Sequence, residues 1–355
     1  MDAFIPYSLT QSLLAWFDAE RRDLAWRDAP CGERDPYRVW LAEIMLQQTT
    51  VSAVIPYYQA FLAKWPDVKA LAAADDDAVM HAWAGLGYYA RARNMLKCAR
   101  MVAEQRQGAF PRDEQDLLKL PGIGAYTAAA ICAIAFNGPA APVDGNVIRT
   151  LSRLYAIDAE MPKGKGLVAD KARALLARAR PGDFAEALMD LGSMVCRPKN
   201  PDCPACPWEH TCRARAQGEA LAYPRKAPKK AKPTRRGWAF WVERADGRLL
   251  LEKRPDKGLL GGMMGFPTTA WPSSAQETDA PSAEAAAEPW NSREWEELPG
   301  MVTHTFTHFH LELRVMRVTL DRVGAKHGVW CAPDKLGEQA LPSIMQKVVR
   351  HVLYL

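Results

Sequence analysis

The sequence predicts a mainly α-helical chain that ends in a smaller α+β domain. Apolar residues recur at helical spacing up to about residue 220, whereas after residue 237 they alternate as they do in strands. Between the two patterns lies 225-RKAPKKAKPTRR-236, a proline-bearing segment without an acidic residue. We therefore predict a helical domain over residues 1–224, a basic linker over 225–236 and a second domain over 237–355.

The helical domain is predicted from four segments in which apolar residues fall every three or four positions, with prolines and glycines between the segments. In chain order they are 37–65, 77–86, 92–105 and 184–196.

The second domain begins with 238-WAFWVERADGRLLLEKR-254, which is typical of two strands joined by a turn at Asp246–Gly247. A further strand pair is predicted over 302–320 and a short helix over 343–353. Between the strand pairs, residues 272–289 have the composition of a mobile loop.

The formal net charge of +5 is confined to the predicted linker, because the charges of the two domains nearly balance. Such a linker is a solvated spacer, and it also favours a position near phosphates. No apolar run approaches the roughly 20 residues that span a membrane, and the chain does not begin like an export signal. We expect no membrane partner and a cytoplasmic location, where cysteines stay reduced.

Four of the eight cysteines form a cluster with the spacing C-x6-C-x2-C-x5-C. Four thiolates in one short, proline-rich loop can close on a single metal centre, and the spacing alone leaves zinc and an iron–sulfur cluster both open. The four are Cys196, Cys203, Cys206 and Cys212. The other four are scattered and are interpreted as small apolar fillers: Cys31, Cys98, Cys132 and Cys331.

A glycine-lined hairpin, 120-LPGIGAYTAAA-130, separates two helical stretches. Gly122 and Gly124 would let the backbone approach a partner closely, and the start of the second helix offers free N–H groups and the positive end of the helix dipole. A phosphate of a nucleic-acid backbone fits such a site. A simple corner between two helices is the alternative.

Two carboxylates stand out by their surroundings. Asp144, in 142-PVDGNVIRTLSR-153, suits the N-cap of a helix, and Glu43 lies among apolar residues in 40-WLAEIMLQQTT-50. Glu43 either faces solvent or occupies a pocket that raises its pKa. Together they would supply the protonated acid and the ionised partner that glycosidic bond cleavage needs.

Several segments together resemble the MutY-type adenine DNA glycosylases, helix–hairpin–helix DNA glycosylases with an iron–sulfur cluster. The resemblance implies a two-lobed helical catalytic domain with a [4Fe-4S] module, followed by a smaller MutT-like (Nudix-like) domain. The segments cover nearly the whole chain, and their joint occurrence is far more specific than any one of them. They are 39-VWLAEIMLQQT-49, 85-GLGYYARARN-94, LPGIGAYT, 142-PVDGNVIR-149, the four-cysteine loop and 304-HTFTHFHLEL-313.

The resemblance implies a monofunctional glycosylase that acts on duplex DNA, excising adenine opposite 8-oxoguanine or guanine, with a [4Fe-4S] cluster on the four cysteines. We also expect the chain to act as a monomer. Protonated Glu43 would donate to N7 of adenine and later activate water, while ionised Asp144 would stabilise the oxocarbenium-like sugar. Tyr126 occupies the place of the catalytic lysine of bifunctional relatives, and a tyrosine forms no imine. Asn146 and Tyr126 are expected to orient Asp144.

Two further groups of residues follow from the resemblance. The flipped adenine would enter a pocket lined by Arg22, Leu24, Trp26 and Glu186. Contacts to DNA and to the oxidised base would come from Gln48, Thr49, Leu86, Tyr88, Gly122, Gly124, Phe306, Thr307 and His308. The last three match a Phe-Ser-His signature of the family in which threonine here replaces serine, so that the hydroxyl is kept and a methyl group is added.

Three other functions stay open. A non-enzymatic iron–sulfur DNA-binding redox sensor would use the hairpin and the cysteines but has no need of Glu43 and Asp144. An oxidised-pyrimidine glycosylase/lyase of the same fold is disfavoured by Tyr126. A MutT-like pyrophosphatase needs an acidic metal-binding helix after 258-GLLGGMMGFPTT-269, and 293-REWEE-297 has the wrong spacing for it.

Overall fold

The computed structural model describes residues 4–27, 33–228, 231–255, 258–271, 295–320, 328–339 and 341–354. The chain forms two compact units, Met1–Ala74 with Asn94–Lys229, and Asp75–Arg93 with Lys230–Leu355. The sequence pattern does not indicate that residues 75–93 group with the C-terminal segment, and the predicted domain limits stay a prediction. Cys31 and residues 272–289 lie outside the described residues.

The first unit is helical, as predicted, and the bounds of its helices follow the apolar segments. Two of its helices, α8 (Ala125–Ala130) and α11 (Pro181–Asp190), continue into π-helical turns at Ile131–Ala135 and Leu191–Val195. The helices outside residues 75–93 are α1 (Phe4–Glu20), α2 (Pro36–Leu46), α3 (Val51–Lys64), α4 (Val68–Ala72), α6 (Ala90–Arg106, of which the first turn groups with the second unit), α7 (Glu114–Leu117), α8 (Ala125–Ala130), α9 (Gly145–Tyr155), α10 (Lys165–Ala174), α11 (Pro181–Asp190) and α12 (Arg213–Ala216).

The apolar pattern over 37–65 is two helices rather than one. The chain leaves the helical conformation at Gln47, and Gln48 adopts a left-handed φ of 62° that a continuous α-helix does not allow. α3 then starts after Thr50. The break places Gln48 and Thr49 in an exposed or half-buried turn directly after the helix that carries Glu43.

The core of the first unit packs α1, α9, α10 and α11 together. Leu13, Phe17, Leu151, Phe184 and Leu191 are among its fully buried members. Burying a large apolar side chain contributes about 1.5–3 kcal/mol, so this core fixes the N-terminus of α9 and the inner face of α11. Both of these elements carry site residues.

The second unit is built on a mixed sheet, which confirms the predicted strand pairs. β1 pairs antiparallel with β2 across the turn at Gly247, whose φ is 80°, and parallel with β6. Helix α5 (Asp76–Ala82) belongs to this unit, and α13 (Ser343–Leu353) ends it, as predicted. The strands are β1 (Thr234–Arg244), β2 (Leu249–Lys253), β3 (Met264–Gly265), β4 (Glu296–Glu297), β5 (Val302–Thr305), β6 (His310–Leu320) and β7 (Val329–Cys331).

The sheet is covered on both faces, because successive residues of β1 enter different cores. Trp241 packs in a cluster with Phe266 and residues of α13, whereas Trp238 and Phe240 pack on the opposite face. The strand order is β3-β2-β1-β6-β4, with β5 paired to β6 and β7 paired to β2. Within the described residues, no helix has both the length and the apolar composition needed to cross a membrane.

Candidate active site

A pocket in the first unit collects residues from three parts of the chain. Glu43 enters it from α2 and Glu186 from α11, while Arg22, Leu24 and Trp26 come from the loop after α1. These are the four residues predicted for the base pocket, together with the predicted acid. Trp26 is held by an edge-to-face contact with Tyr58, with ring centroids 5.5 Å apart.

Glu43 is buried in the wall of this pocket, with an exposed fraction of only 6%. Burial raises its pKa to about 7 against a hydrogen bond from Tyr126, and the negative charges of Asp144 and Glu186 raise it further, opposed by Arg27. The pocket alternative for Glu43 is therefore confirmed over the solvent-facing one. A carboxyl group of this pKa carries a proton in a sizeable fraction of molecules at neutral pH.

Asp144 is the N-cap of α9, and its carboxylate is held at both oxygens. Oδ1 accepts a bond of 2.7 Å from the N–H of Val147, and Oδ2 accepts one of 2.8 Å from Asn146 Nδ2. Burial raises the pKa of Asp144 overall, although these hydrogen bonds and the charge of Arg149 oppose the rise. The cap thus fixes the direction of the carboxylate and favours its ionised form.

Tyr126 lies in the first turn of α8 and bonds to Glu43. Its hydroxyl forms a hydrogen bond with that carboxyl group and lies 3.8 Å from Met189 Sδ. Burial and the charges of Glu43 and Asp144 raise the pKa of Tyr126 well above its usual value, so the phenol stays protonated. Asn146 contacts Asp144 as expected, while the hydrogen bond of Tyr126 is with Glu43.

Arg149 connects the Asp144 cap to the cysteine loop. Its guanidinium donates to Asn146 Oδ1 at 2.7 Å, to the carbonyl of Gly192 at 2.6 Å and to the carbonyl of Cys196 at 2.7 Å. Gly192 is needed here, because an added Cβ would lie 2.5 Å from Asn146 Cβ. The amide that holds Asp144 is therefore itself held by the loop that carries the cysteines.

A chain of buried ion pairs beneath the pocket was not predicted from the sequence. Its acids Asp183, Glu186 and Asp190 lie on one face of α11, at positions i, i+3 and i+7. This acidic stripe on an otherwise apolar helix, opposite the arginines of 22–34, is the signal that could have revealed it. The pairs are Arg22–Asp190 (2.6 Å), Arg27–Asp190 (2.6 Å), Arg27–Glu186 (3.2 Å), Arg34–Glu186 (2.7 Å), Arg34–Asp183 (2.8 Å), Arg180–Asp183 (2.8 Å) and Arg180–Asp18 (2.5 Å).

The four clustered cysteines, Cys196, Cys203, Cys206 and Cys212, line one pocket. Burial raises the pKa of Cys206 to about 12, and the charges of the other three thiols add to this, which shows how close together they lie. In the described part of the chain, no three His, Cys, Asp or Glu side chains converge tightly enough for a single metal ion. The four thiols therefore line one shared space, as ligands of a common bound group would.

The two glycines of the hairpin differ in whether the structure requires glycine at their positions. Gly122 has a φ of 77°, and an added Cβ would lie 2.7 Å from Asn94 Cβ, so both conformation and packing demand glycine. Gly124 has a φ of −97°, and an added Cβ would meet nothing within 4 Å. Nothing in the described chain explains the glycine at position 124, which leaves the hairpin surface open to a partner.

In the second unit, the remaining predicted contacts line a single cavity of about 620 Å³. The Tyr88 hydroxyl lies 3.2 Å from Thr307 Oγ1, so the threonine that replaces the family serine uses its hydroxyl. Tyr88 is exposed and has a left-handed φ of 49°, while Arg91 donates to the carbonyls of Leu86 and Gly87. The predicted residues of this cavity are Leu86, Tyr88, Phe306, Thr307 and His308.

Comparison with known proteins identifies the family. Residues 41–177 match the model of the HhH-GPD superfamily base excision DNA repair proteins, and residues 238–351 match the NUDIX domain. The adenine DNA glycosylase of Homo sapiens is 36% identical, over 96% of this chain and 73% of that protein. The chain belongs to the adenine DNA glycosylase family. Both the predicted resemblance and the predicted Nudix-like second domain are confirmed.

A further relative agrees with this family, and two solved structures share the fold of the helical part. The adenine DNA glycosylase of Buchnera aphidicola subsp. Schizaphis graminum is 31% identical, over 97% of this chain and 98% of that protein. A thermostable thymine-DNA glycosylase superposes with a TM-score of 0.54 at 29% identity, covering 59% of this chain and 95% of its own. A trapped endonuclease III–DNA covalent intermediate has a TM-score of 0.50 at 24% identity, covering 59% of this chain and 95% of its own, and shares the fold.

Proposed function

We propose that this chain is a monofunctional DNA glycosylase that removes adenine mispaired with 8-oxoguanine or guanine from duplex DNA, acting as a monomer in the cytoplasm. Membership of the adenine DNA glycosylase family supports the base and the reaction. The observation that carries the chemistry is the pair of unlike carboxylates. Glu43 is buried with a pKa of about 7, and Asp144 is held by two hydrogen bonds at a helix N-terminus.

Glu43 supplies the proton. Adenine leaves poorly as an anion, so protonation of the base at N7 lowers the barrier to breaking the N-glycosidic bond. After the base has left, Glu43 is a carboxylate and takes a proton from the attacking water. Its pKa near neutrality suits both roles, and the hydrogen bond with Tyr126 keeps the carboxyl group in position.

Asp144 stabilises the sugar as positive charge develops on it. Because Val147 and Asn146 occupy one lone pair on each oxygen, the carboxylate keeps its direction without reorganising during the reaction. This is the part that the ionised partner takes in glycosidic cleavage, in which a transient covalent bond to the sugar is one route.

The phenol of Tyr126 explains why strand cleavage is not expected. A lysine amine at this position would attack the sugar and form an imine that leads to a strand nick, whereas a phenol forms no imine. With its pKa raised and its hydroxyl bonded to Glu43, Tyr126 serves as a hydrogen-bond donor. The product is therefore an intact strand with an abasic site.

Glu186 is suited to recognising the base. Arg27 and Arg34 both contact Oε1 of Glu186. The other oxygen, Oε2, is buried and has no hydrogen-bond partner among the described residues. The exocyclic amine of adenine would donate to this oxygen. A base with a carbonyl at that position would bring a second acceptor against a carboxylate, which is unfavourable.

The four cysteines are proposed to hold a [4Fe-4S] cluster, which family membership and their shared pocket support. When bound, such a cluster ties the ends of the 196–212 loop together. Arg153, which is buried, donates to Cys196 Sγ at 3.3 Å and to the carbonyl of Arg197 at 2.7 Å, which holds the start of this loop. Contact with the oxidised base is proposed for the cavity that contains Tyr88 and Thr307.

The test is single-turnover cleavage of a labelled duplex with adenine opposite 8-oxoguanine, analysed with and without alkali. Strand breaks that appear only after alkali support a monofunctional adenine glycosylase. Breaks without alkali would overturn the assignment of Tyr126, and a DNA-binding preparation that releases no base would favour the redox-sensor alternative.

A further inference from the structure

Arg34 stands out because it touches the base-recognising glutamate without lining the pocket. Its side chain is 4% exposed and spans two acids of α11, with Nη1 2.7 Å from Glu186 Oε1 and Nη2 2.8 Å from Asp183 Oδ1. Its backbone N–H donates to the carbonyl of Ala135 at 2.8 Å, which fixes the residue to the π-helical turn after α8. The side chain of Arg34 therefore meets the lining of the pocket at Glu186.

The geometry around Glu186 is asymmetric. Arg27 Nε, at 3.2 Å, and Arg34 Nη1, at 2.7 Å, both form ion pairs with Oε1 that lack hydrogen-bond alignment, and Oε2 has no hydrogen-bond partner among the described residues. A buried carboxylate needs cations or donors beside it, and the two guanidinium groups supply them at Oε1 alone. Arg27 is also paired with Asp190, at 2.6 Å. Of the two contacts to Glu186, the one from Arg34 is the shorter.

We infer that Arg34 is a positioning residue that holds Glu186 so that its Oε2 accepts a hydrogen bond from the exocyclic amine of the base in the pocket. The inference rests on the proposed function and adds a specificity-determining residue to it. Asp183 completes the clamp, because it holds the second nitrogen of Arg34 at 2.8 Å.

The experiment compares single-turnover base release from two duplexes, one with adenine and one with purine, which lacks the exocyclic amine. Arg34→Met should lower the rate on adenine roughly tenfold or more and the rate on purine by less than about threefold, because only adenine uses the Glu186 acceptor. Arg34→Lys keeps the charge and should recover part of the adenine rate, which also covers the case in which Arg34→Met folds poorly.

The matched control is Arg180→Met, which removes an arginine from the same acid, Asp183, without touching Glu186. Its ratio of adenine to purine rates should equal that of the wild-type chain. If each of the two variants, Arg34→Met and Arg180→Met, lowers the adenine rate and the purine rate by the same factor, Arg34 has only a structural role and the inference fails. If the wild-type chain releases neither base, the proposed function fails first.

Discussion

Glu43 shows, at the scale of one residue, how burial on an apolar helix raises the pKa of a carboxyl group. The neighbours that bury it are the apolar residues of α2, and burial outweighs the hydrogen bond from Tyr126, so the carboxyl group holds its proton near neutral pH. The sequence predicted an unusual environment for Glu43, but it could not tell a pocket from solvent, because that depends on what α8 and α11 place opposite it.

The same burial makes stability depend on pH. The pKa of Glu43 is raised from 4.5 to about 7 in the folded chain, so the stability linked to its proton is fully present below pH 4.5 and is lost as pH rises through 7. Glu43→Gln should therefore gain about 3 kcal/mol in free energy of unfolding, relative to the wild-type chain, between pH 4.5 and pH 8. Urea unfolding at several pH values measures this difference.

Glu104→Gln, at an exposed position of α6, is the control for that comparison, since its carboxylate is not buried. Its effect on the free energy of unfolding should not depend on pH in this range. An equal pH dependence for the two variants would show that Glu43 is not the source.

At the scale of elements, the start of α9 combines a structural and a chemical task in Asp144. Asp144→Asn keeps a side-chain oxygen to cap the N–H of Val147, so stability should change by less than about 1 kcal/mol while base release falls by a factor of 100 or more, an order-of-magnitude estimate. Asp144→Ala should lose both the reaction and about 1 kcal/mol of stability. Thermal unfolding and single-turnover rates measured on both variants separate the two tasks, and full activity of Asp144→Asn would contradict the assigned role.

The hairpin between α7 and α8 gives a second comparison within one element. Gly122→Ala should destabilise the chain by at least about 1–2 kcal/mol, because it combines a positive φ with a contact of 2.7 Å to Asn94. Gly124→Ala meets nothing in the chain, so it should fold normally and weaken binding to duplex DNA. Unchanged DNA affinity of Gly124→Ala, measured by fluorescence anisotropy, would favour the plain helix corner.

The periodicity of apolar residues predicted the helices and the strand pairs. It did not predict the break after α2 or the ion pairs of α11. The break depends on the left-handed conformation of Gln48, for which a glutamine gives no local signal. All of these ion pairs except Arg180–Asp183 join residues roughly 150 to 170 positions apart in the sequence, as Arg34 and Asp183 are. The acidic residues of α11 that form these pairs can be recognised in the sequence, whereas the arginines that pair with them depend on tertiary packing.

At the scale of the whole molecule, the cysteine loop is linked to the reaction through Arg149, which joins the carbonyl of Cys196 to Asn146 and so to Asp144. If the loop holds a [4Fe-4S] cluster, Cys206→Ser should lower the iron content and reduce base release. Cys331→Ser, at a buried cysteine of the second unit, should leave the iron content unchanged. Iron analysis with absorbance spectra tests this, and equal iron in the two variants would exclude Cys206 as a ligand.

The central claim is that Glu43 delivers a proton to the leaving base from a site that holds it near neutral pH. The most direct measurement is the single-turnover rate of adenine release between about pH 5 and pH 9, for the wild-type chain and for Glu43→Gln. The wild-type rate should fall with rising pH above about 7, and Glu43→Gln should bind the duplex equally well, release adenine at least 100-fold more slowly as an order-of-magnitude estimate, and lack that fall. A Glu43→Gln variant that keeps the wild-type rate, or the same pH profile, would contradict the claim.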